Sequence, residues 1–117
     1  MKPTVLIVDD HPSFVAVARL LLEADGFEVV GVAADGESAI GETLRLSPDV
    51  VLLDIVLPDI DGFEVASRLR AAGSPSMVIL TSSREGSDFG SLIAESDARG
   101  FIGKPELSGD AVRALTS

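Results

Sequence analysis

Short runs of consecutive apolar residues alternate along the chain with longer segments in which apolar and polar positions mix. The short runs are rich in large apolar residues and are bounded by Gly, Pro, Asp or Ser. Continuous rather than alternating hydrophobicity is typical of strands that helices cover on both faces, as in a parallel sheet. We therefore predict five strands, at Thr4–Val8, Glu28–Ala33, Val50–Asp54, 77–81 and Gly100–Gly103.

The longer segments show the three- and four-residue apolar spacing of helices. Proline at the start of the first segment suits the first helical position, with Asp10 or His11 as its cap, and Asp35 precedes the second segment as a cap. The fourth segment contains Gly86 and Gly90, which lower the stability of a helix. Helices are predicted at Pro12–Ala24, Gly36–Leu46, 62–72, 85–95 and 106–115.

Regular alternation of strands and helices favours right-handed crossovers and a parallel sheet between two helical layers. The predicted fold class is therefore α/β, a three-layer α/β/α arrangement with a doubly wound five-stranded sheet. No linker or repeat interrupts the pattern, so residues 1–117 are predicted to form a single domain.

Composition narrows the range of functions. Nineteen acidic residues against nine basic ones give a formal net charge of -10, whereas nucleic acid binding requires a positive surface, so we predict no direct contact with nucleic acid. The absence of cysteine excludes disulfides, thiolate metal sites and cysteine nucleophiles. No apolar run reaches membrane-spanning length or resembles a signal peptide, and we expect a cytoplasmic location.

Polar side chains follow four of the five predicted strands. Asp9 and Asp10 come after the first strand, Asp54 ends the third, Thr81 ends the fourth, and Lys104 follows the fifth. The chain contains only two lysines, which makes the place of Lys104 notable. Ligands of an open parallel sheet gather outside the carboxyl ends of its strands, so these side chains are expected to lie close together.

Three neighbouring carboxylates repel one another unless a cation joins them. Mg²⁺ suits one or two carboxylates together with water and a phosphate oxygen. A carboxylate beside Mg²⁺ can act as a nucleophile and form an aspartyl phosphate, whose oxygens an ammonium and a hydroxyl can then bind. The sequence offers each of these groups at the same edge of the sheet.

Four segments, "IVDDHP", "VVLLDIVLPDIDG", "VILTSS" and "GFIGKP", resemble in this order the receiver domain of two-component response regulators. The resemblance covers essentially the entire chain and implies the flavodoxin-like strand order 2-1-3-4-5. "DDHP" and "ARGFIGK" at 98–104 further resemble receivers that carry a C-terminal helix-turn-helix output domain.

The resemblance assigns roles to the acidic residues. Asp54 would be the phosphoacceptor, and Asp10, Asp54 and the backbone carbonyl of Val56 would bind Mg²⁺ directly, while Asp9 would act largely through water. Val56 and Ser83 occupy the two positions that tune the lifetime of the phosphoryl group in this family. Val56 is apolar and cannot orient an attacking water.

The resemblance also implies a switch. Thr81 would be the hydroxyl that moves toward the phosphoryl group, Lys104 would pair with that group, and Phe101 would be an aromatic rotamer switch. Pro105 corresponds to the proline after the lysine, which is often joined to it by a cis bond.

The implied function is a phosphorylation-dependent signalling switch. A histidine kinase or phosphotransfer protein would phosphorylate Asp54, and the face formed by strand 4, helix 4, strand 5 and helix 5 would change conformation to control an output domain or partner. A homodimer through helices 4 and 5 is common in the family. The domain would catalyse only its own phosphoryl transfer and dephosphorylation, and would not otherwise be an enzyme.

Two alternatives remain at this point. "DIDG" at 59–62 resembles the DxDG nucleophile motif of haloacid-dehalogenase-type phosphatases, although "IVLP" separates it from its strand. A receiver that acts by protein contact without phosphorylation is the other alternative.

Single residues also have simpler interpretations. Asp9 and Asp10 could be a strand end and a helix cap, and Phe101 could belong to the core. We expect His11 to be exposed at the start of the first helix and outside the site. Asp59 is expected to be a solvated loop residue, and Asp61 to cap the third helix.

Overall fold

A five-stranded parallel sheet forms the centre of the computed structural model, which describes residues 1–117. The order β2-β1-β3-β4-β5 confirms the 2-1-3-4-5 topology. Every neighbouring pair of strands is parallel. The strands are β1 (Thr4–Val8), β2 (Glu28–Ala33), β3 (Val50–Asp54), β4 (Met77–Ser82) and β5 (Gly100–Gly103).

Helices cover both faces of the sheet. They are α1 (Pro12–Ala24), α2 (Gly36–Leu46), α3 (Gly62–Ala71), α4 (Leu92–Glu95) and α5 (Gly109–Thr116). One apolar cluster joins the sheet to α2 and α3, and a second joins its other face to α1 and α5. Alternate residues of β1 and β3 enter opposite clusters, which is why residues 5–8 and 50–53 are all apolar. The predicted three-layer arrangement is confirmed.

The predicted fourth helix, 85–95, is wrong as a continuous element. A 3₁₀ turn, Gly86–Phe89, and a single helical turn, α4, occupy this segment. Gly90 separates them with a positive φ of 58°, a conformation that glycine adopts without strain. Gly90 therefore divides the segment into two pieces rather than merely weakening a helix.

The segment after β5 also differs from its prediction. A 3₁₀ turn occupies Lys104–Glu106, and α5 begins at Gly109 because the Ser108 side chain accepts a hydrogen bond from the Ala111 N–H at 3.0 Å. The chain contains no cis peptide bond, so the bond before Pro105 is trans and the family's frequent cis form is not found here.

Aspartates cap two of the helices as predicted. Asp35 accepts a hydrogen bond from the Ser38 N–H at 2.7 Å, and Asp61 accepts one from the Glu64 N–H at 2.8 Å. The predicted cap of α1 is wrong, because no side chain caps that helix. His11 occupies the cap position, but its own N–H donates to the Asp9 carboxylate at 2.8 Å.

The α5 helix is attached at both ends. At its start, the Gly109 N–H donates to the Asp25 carboxylate at 2.8 Å, in the turn between α1 and β2. Near its end, the Leu115 carbonyl accepts a hydrogen bond from Arg99 Nε at 2.9 Å, immediately before β5. The two ends of α5 are therefore attached to residues next to the two edge strands of the sheet, β2 and β5.

None of the helices has both the length and the hydropathy that crossing a membrane requires.

Candidate functional site

Three strand ends bring buried polar residues together at the carboxyl edge of the sheet. Asp54 lies beside Thr81 in the register of β3 and β4, and Asp9 directly follows β1. Asp9, Asp54 and Thr81 are only 2%, 2% and 1% exposed. Buried polar side chains are costly unless they are paired or functional, so this group marks a site.

The ammonium of Lys104 reaches this group from the turn after β5. Its Nζ lies 2.8 Å from Asp9 Oδ2 and 3.1 Å from Asp54 Oδ2, and it also lies 4.6 Å from the centre of the Phe14 ring. The pairing of Ser82 with Gly103 places the next residue, Lys104, at the same edge. The structure thus joins the two buried carboxylates through one cation.

The surroundings of Asp54 and Lys104 change the pKa of both groups. Burial raises the pKa of Asp54, and the Asp9 carboxylate adds to the increase, while the Val56 N–H and Lys104 oppose it without cancelling it. Partial burial disfavours charge on Lys104, but its pairing with Asp9 and Asp54 outweighs burial and raises the pKa of the ammonium. The raised pKa of Asp54 therefore follows mainly from burial, and the raised pKa of Lys104 follows from the two carboxylates around it.

His11 belongs to this cluster, contrary to the expectation that it lies outside the site. Its ring is 60% exposed, as predicted, but Nδ1 lies 2.9 Å from Asp9 Oδ1 and 3.1 Å from Asp10 Oδ1. The same nitrogen is 3.9 Å from Asp54 Oδ2. The missed signal was the position of the histidine directly after the aspartate pair, since the backbone bends at Asp10 and brings the ring back to Asp9.

The donor set fits a hard divalent cation. One ligand atom from each of Asp9, Asp10, His11 and Asp54 lies within 4.8 Å of the others. The buried Oδ2 of Asp9 makes no directed hydrogen bond, although it forms the ion pair with Lys104. Carboxylate oxygens are the ligands that Mg²⁺ prefers, and an acidic cluster that could hold such an ion is present.

The backbone and the hydroxyl beside Asp54 are also in place. The Val56 N–H donates to Asp54 Oδ1 at 3.1 Å, and the Val56 side chain is 52% exposed. The Oγ1 of Thr81 is buried and has no hydrogen-bond partner. Most buried hydroxyls in proteins have a hydrogen-bond partner, and a group reserved for a ligand is one explanation of the exception.

Phe101 and Ser83 lie around this group rather than within it. Phe101 is half-buried, and its ring centre is 6.3 Å from that of Phe89. Phe89 in turn contacts Phe63 edge to face, with ring centres 6.1 Å apart. Ser83 is exposed. The half-burial of Phe101 is consistent with both core packing and a ring that moves.

Asp59 is an exposed loop residue, as expected, but its carboxylate also binds backbone groups of α2, which we did not expect. Its two carboxylate oxygens accept hydrogen bonds from the N–H groups of Gly36, at 2.7 Å, and Glu37, at 3.0 Å. These backbone hydrogen bonds lower the pKa of Asp59 to about 2. No local pattern could have shown this, because the partners are more than twenty residues apart in sequence.

The DxDG alternative finds no support in this geometry. Asp59 and Asp61 accept hydrogen bonds from the first turns of α2 and α3 respectively. Neither carboxylate belongs to the cluster of Asp9, Asp10, His11 and Asp54.

Replacing Lys104 by methionine should lower the free energy of unfolding by about 2 kcal/mol, because two buried carboxylates would lose their shared cation. This magnitude lies below that of a fully buried pair, since the Lys104 side chain is 12% exposed. Urea denaturation in the absence of divalent ions measures the loss. Lys2, the other lysine, is exposed and provides the control Lys2→Met, which should be neutral. Equal stability of the two variants would contradict the prediction.

Comparisons with known proteins agree on one family. The profile of the response regulator receiver domain matches residues 5–116. The DNA-binding transcriptional activator EvgA of Escherichia coli is 30% identical over 110 residues, which are 94% of this chain and 54% of EvgA. The transcription regulator BvgA of Bordetella pertussis is 36% identical over 114 residues, or 97% of this chain and 54% of BvgA. The chain spans about half the length of the curated relatives it matches.

Solved structures show the same fold. The signal receiver domain of the response regulator NarL from Mycobacterium tuberculosis superposes with a TM-score of 0.87 at 30% identity, covering 97% of this chain and 96% of that one. A LuxR-family two-component response regulator from Aurantimonas gives a TM-score of 0.84 at 28% identity, covering 98% of this chain and 83% of that one. Matched in sequence and fold over nearly its whole length, this chain belongs to the response regulator receiver domains.

Proposed function

We propose that this chain is a phosphorylation-dependent switch of a two-component system, with Asp54 as its phosphoacceptor. One observation carries the proposal: Asp54 is a buried carboxylate that shares an ammonium with Asp9 and neighbours an unpaired threonine hydroxyl. A structural ion pair would explain Lys104 but not the Thr81 hydroxyl. The comparisons support the receiver family, and the residue roles are our proposal.

Each neighbour of Asp54 has a role in this proposal. The carboxylates of Asp9, Asp10 and Asp54 and the backbone carbonyl of Val56 would hold Mg²⁺, with Asp9 acting largely through water. When bound, Mg²⁺ neutralises the charge of the transferring phosphoryl group. The Lys104 ammonium already contacts Asp54 Oδ2 and would bind a phosphoryl oxygen once Asp54 is phosphorylated.

The conformational response would begin at Thr81. No protein group binds its hydroxyl, so a phosphoryl oxygen on the adjacent Asp54 would attract it without breaking a hydrogen bond within the protein. Phe101 would then change rotamer, and the face made of β4, α4, β5 and α5 would carry the change. That face contains the shortest helix of the chain, which suits a switching surface because little packing holds it.

The phosphodonor would be a histidine kinase or phosphotransfer protein. The solvent face of α1, beside the acidic cluster, exposes Val17 by 52%, Leu20 by 70% and Leu21 by 39%. A surface helix normally presents polar residues to water, so this apolar face supports contact with a protein. A homodimer through α4 and α5 stays a further proposal.

The output would lie outside this unit. Two relatives are named as transcription regulators, and we propose that residues 1–117 form one cytoplasmic receiver unit that controls a DNA-binding output domain or a partner. The net charge of -10 disfavours direct contact of this unit with DNA. Its only chemistry would be its own phosphoryl transfer and dephosphorylation.

Acetyl phosphate and Mg²⁺ test the proposal without a kinase. Borohydride reduces an aspartyl phosphate to homoserine, which peptide mass spectrometry then locates. We expect homoserine at position 54, and none when Mg²⁺ is removed by chelation. Homoserine at position 59 would favour the phosphatase alternative. Absence of modification, together with no spectral change on adding beryllofluoride and Mg²⁺, would favour a receiver that acts by contact alone.

A further inference from the structure

We propose that Asp59 is a positioning residue for the Mg²⁺ and phosphoryl site, acting through the loop that follows the phosphoacceptor. This inference rests on the proposed function, because it concerns the loop that carries the Val56 carbonyl. It assigns a role to a carboxylate that lies outside the acidic cluster and makes no contact with Asp54.

The Asp59 carboxylate fixes the middle of the loop between β3 and α3. Both of its oxygens accept backbone hydrogen bonds from the start of α2, at 2.7 Å from the Gly36 nitrogen and 3.0 Å from the Glu37 nitrogen. A carboxylate at a helix start also interacts favourably with the helix dipole. Two charge-assisted hydrogen bonds to two consecutive N–H groups define both the position and the orientation of the side chain.

The rest of the loop has few other attachments. Its beginning is held by the hydrogen bond from the Val56 N–H to Asp54, and its end by the one from the Gly62 N–H to the Ile55 carbonyl at 2.8 Å. Among residues 57–60, Asp59 has the only polar side chain, and Leu57 and Ile60 pack against the apolar cluster under α2 and α3. The Val56 side chain is half-exposed and gives little packing of its own. The position of the loop backbone therefore depends on the Asp59 hydrogen bonds together with the packing of Leu57 and Ile60.

The α2 helix is shaped to receive this loop. Ile60 packs against the apolar cluster beneath α2, and a Cβ at position 36 would overlap its side chain. Glycine at position 36 thus allows close approach while leaving its N–H to Asp59. The loop thus contributes Ile60 and Asp59 to this contact, and the helix contributes Gly36.

A role confined to capping α2 does not account for this arrangement. The helix already has its own cap, Asp35, which accepts a hydrogen bond from the Ser38 N–H at 2.7 Å. Asp59 binds two further N–H groups from a distant segment, and what it adds is the connection to the loop three residues after Val56.

Two alanine variants separate positioning from capping. Asp59→Ala and Asp35→Ala each remove one carboxylate from the start of the same helix, exposed at Asp59 and partly buried at Asp35, but only Asp59 belongs to the loop. We expect both to lower the melting temperature to a similar extent. Asp59→Ala should weaken Mg²⁺ binding, measured by isothermal titration calorimetry without phosphodonor, by about 10-fold. Asp35→Ala should change it less than about 2-fold.

Hydrogen exchange and a conservative variant complete the test. The amide hydrogens of residues 55–58 should exchange faster in Asp59→Ala than in wild type. Their exchange rates should not change in Asp35→Ala. Asp59→Asn keeps one carbonyl oxygen for the Gly36 N–H and should recover part of the Mg²⁺ affinity. This variant also provides the test if Asp59→Ala does not fold. If Asp59→Ala bound Mg²⁺ as tightly as wild type, or if Asp35→Ala weakened Mg²⁺ binding equally, the inference about Asp59 would be overturned. The proposed function would not be affected. A wild-type protein that binds no Mg²⁺ and accepts no phosphoryl group would overturn the proposed function with it.

Discussion

Replacing Asp54 by asparagine should abolish phosphorylation by acetyl phosphate and, at neutral pH, raise the free energy of unfolding. The first effect follows because the amide oxygen is not a nucleophile of comparable strength and the proposed acceptor is lost. The second follows because burial and the neighbouring Asp9 raise the pKa of Asp54, so that the folded protein favours an uncharged group at this position. Asparagine supplies such an uncharged group, and its side-chain oxygen can still accept the hydrogen bond from the Val56 N–H.

The pH dependence of this gain has a defined sign. A carboxyl whose folded pKa exceeds its unfolded value binds more protons in the folded state, and its ionisation destabilises the protein as pH rises above about 4. The advantage of Asp54→Asn should therefore be present at about pH 7 and vanish near about pH 3. Urea denaturation without divalent ions, followed by circular dichroism, measures it. Asp110→Asn, at an exposed carboxylate of α5, is the control and should keep both phosphorylation and stability. A less stable Asp54→Asn protein at neutral pH would contradict our account of the site.

Replacing Gly62 by alanine should lower the free energy of unfolding by about 3 kcal/mol and displace the phosphoacceptor. A Cβ at this position would lie 2.7 Å from the Asp54 carbonyl oxygen and 2.9 Å from Ile55 Cα. Both atoms belong to the backbone, which cannot rotate away as a side chain can. The end of β3 or the start of α3 must therefore move, and either movement disturbs Asp54.

Gly41→Ala is the matched control for Gly62→Ala. It makes the same change inside α2, where a Cβ would meet no atom within 4 Å. Because alanine is the better helix former, Gly41→Ala should raise the free energy of unfolding by about 0.5–1 kcal/mol. Denaturation of both variants measures these opposite changes in the free energy of unfolding, and phosphorylation of each variant is measured alongside. A Gly62→Ala protein as stable and as readily phosphorylated as wild type would refute the prediction.

The strands could be predicted closely because their pattern is local. A strand buried on both faces needs apolar residues at every position, and four of the five predicted strands have the observed bounds. The fourth helix could not be predicted, because glycine both weakens a helix and allows a positive φ, and the sequence does not tell which effect acts at Gly90. The strand order came from the family resemblance rather than from the pattern.

The site could be predicted where its residues end strands. The gathering of Asp9, Asp54, Thr81 and Lys104 at one edge follows from parallel topology. The positions of His11 and Asp59 could not be obtained in this way. The first depends on how the backbone turns after β1, and the second on contact with a helix that begins far away in sequence. The roles of all these residues stay predictions until they are measured.

The two attachments of α5 determine how that helix can respond to the sheet. Its start is tied to the α1–β2 turn through Asp25, while its end is tied through Arg99 to the approach to β5. A displacement of β5 would consequently reach one end of α5 and leave the other in place. The helix would then change its tilt rather than slide, and a partner bound along α5 would sense a rotation whose amplitude grows with distance from Gly109.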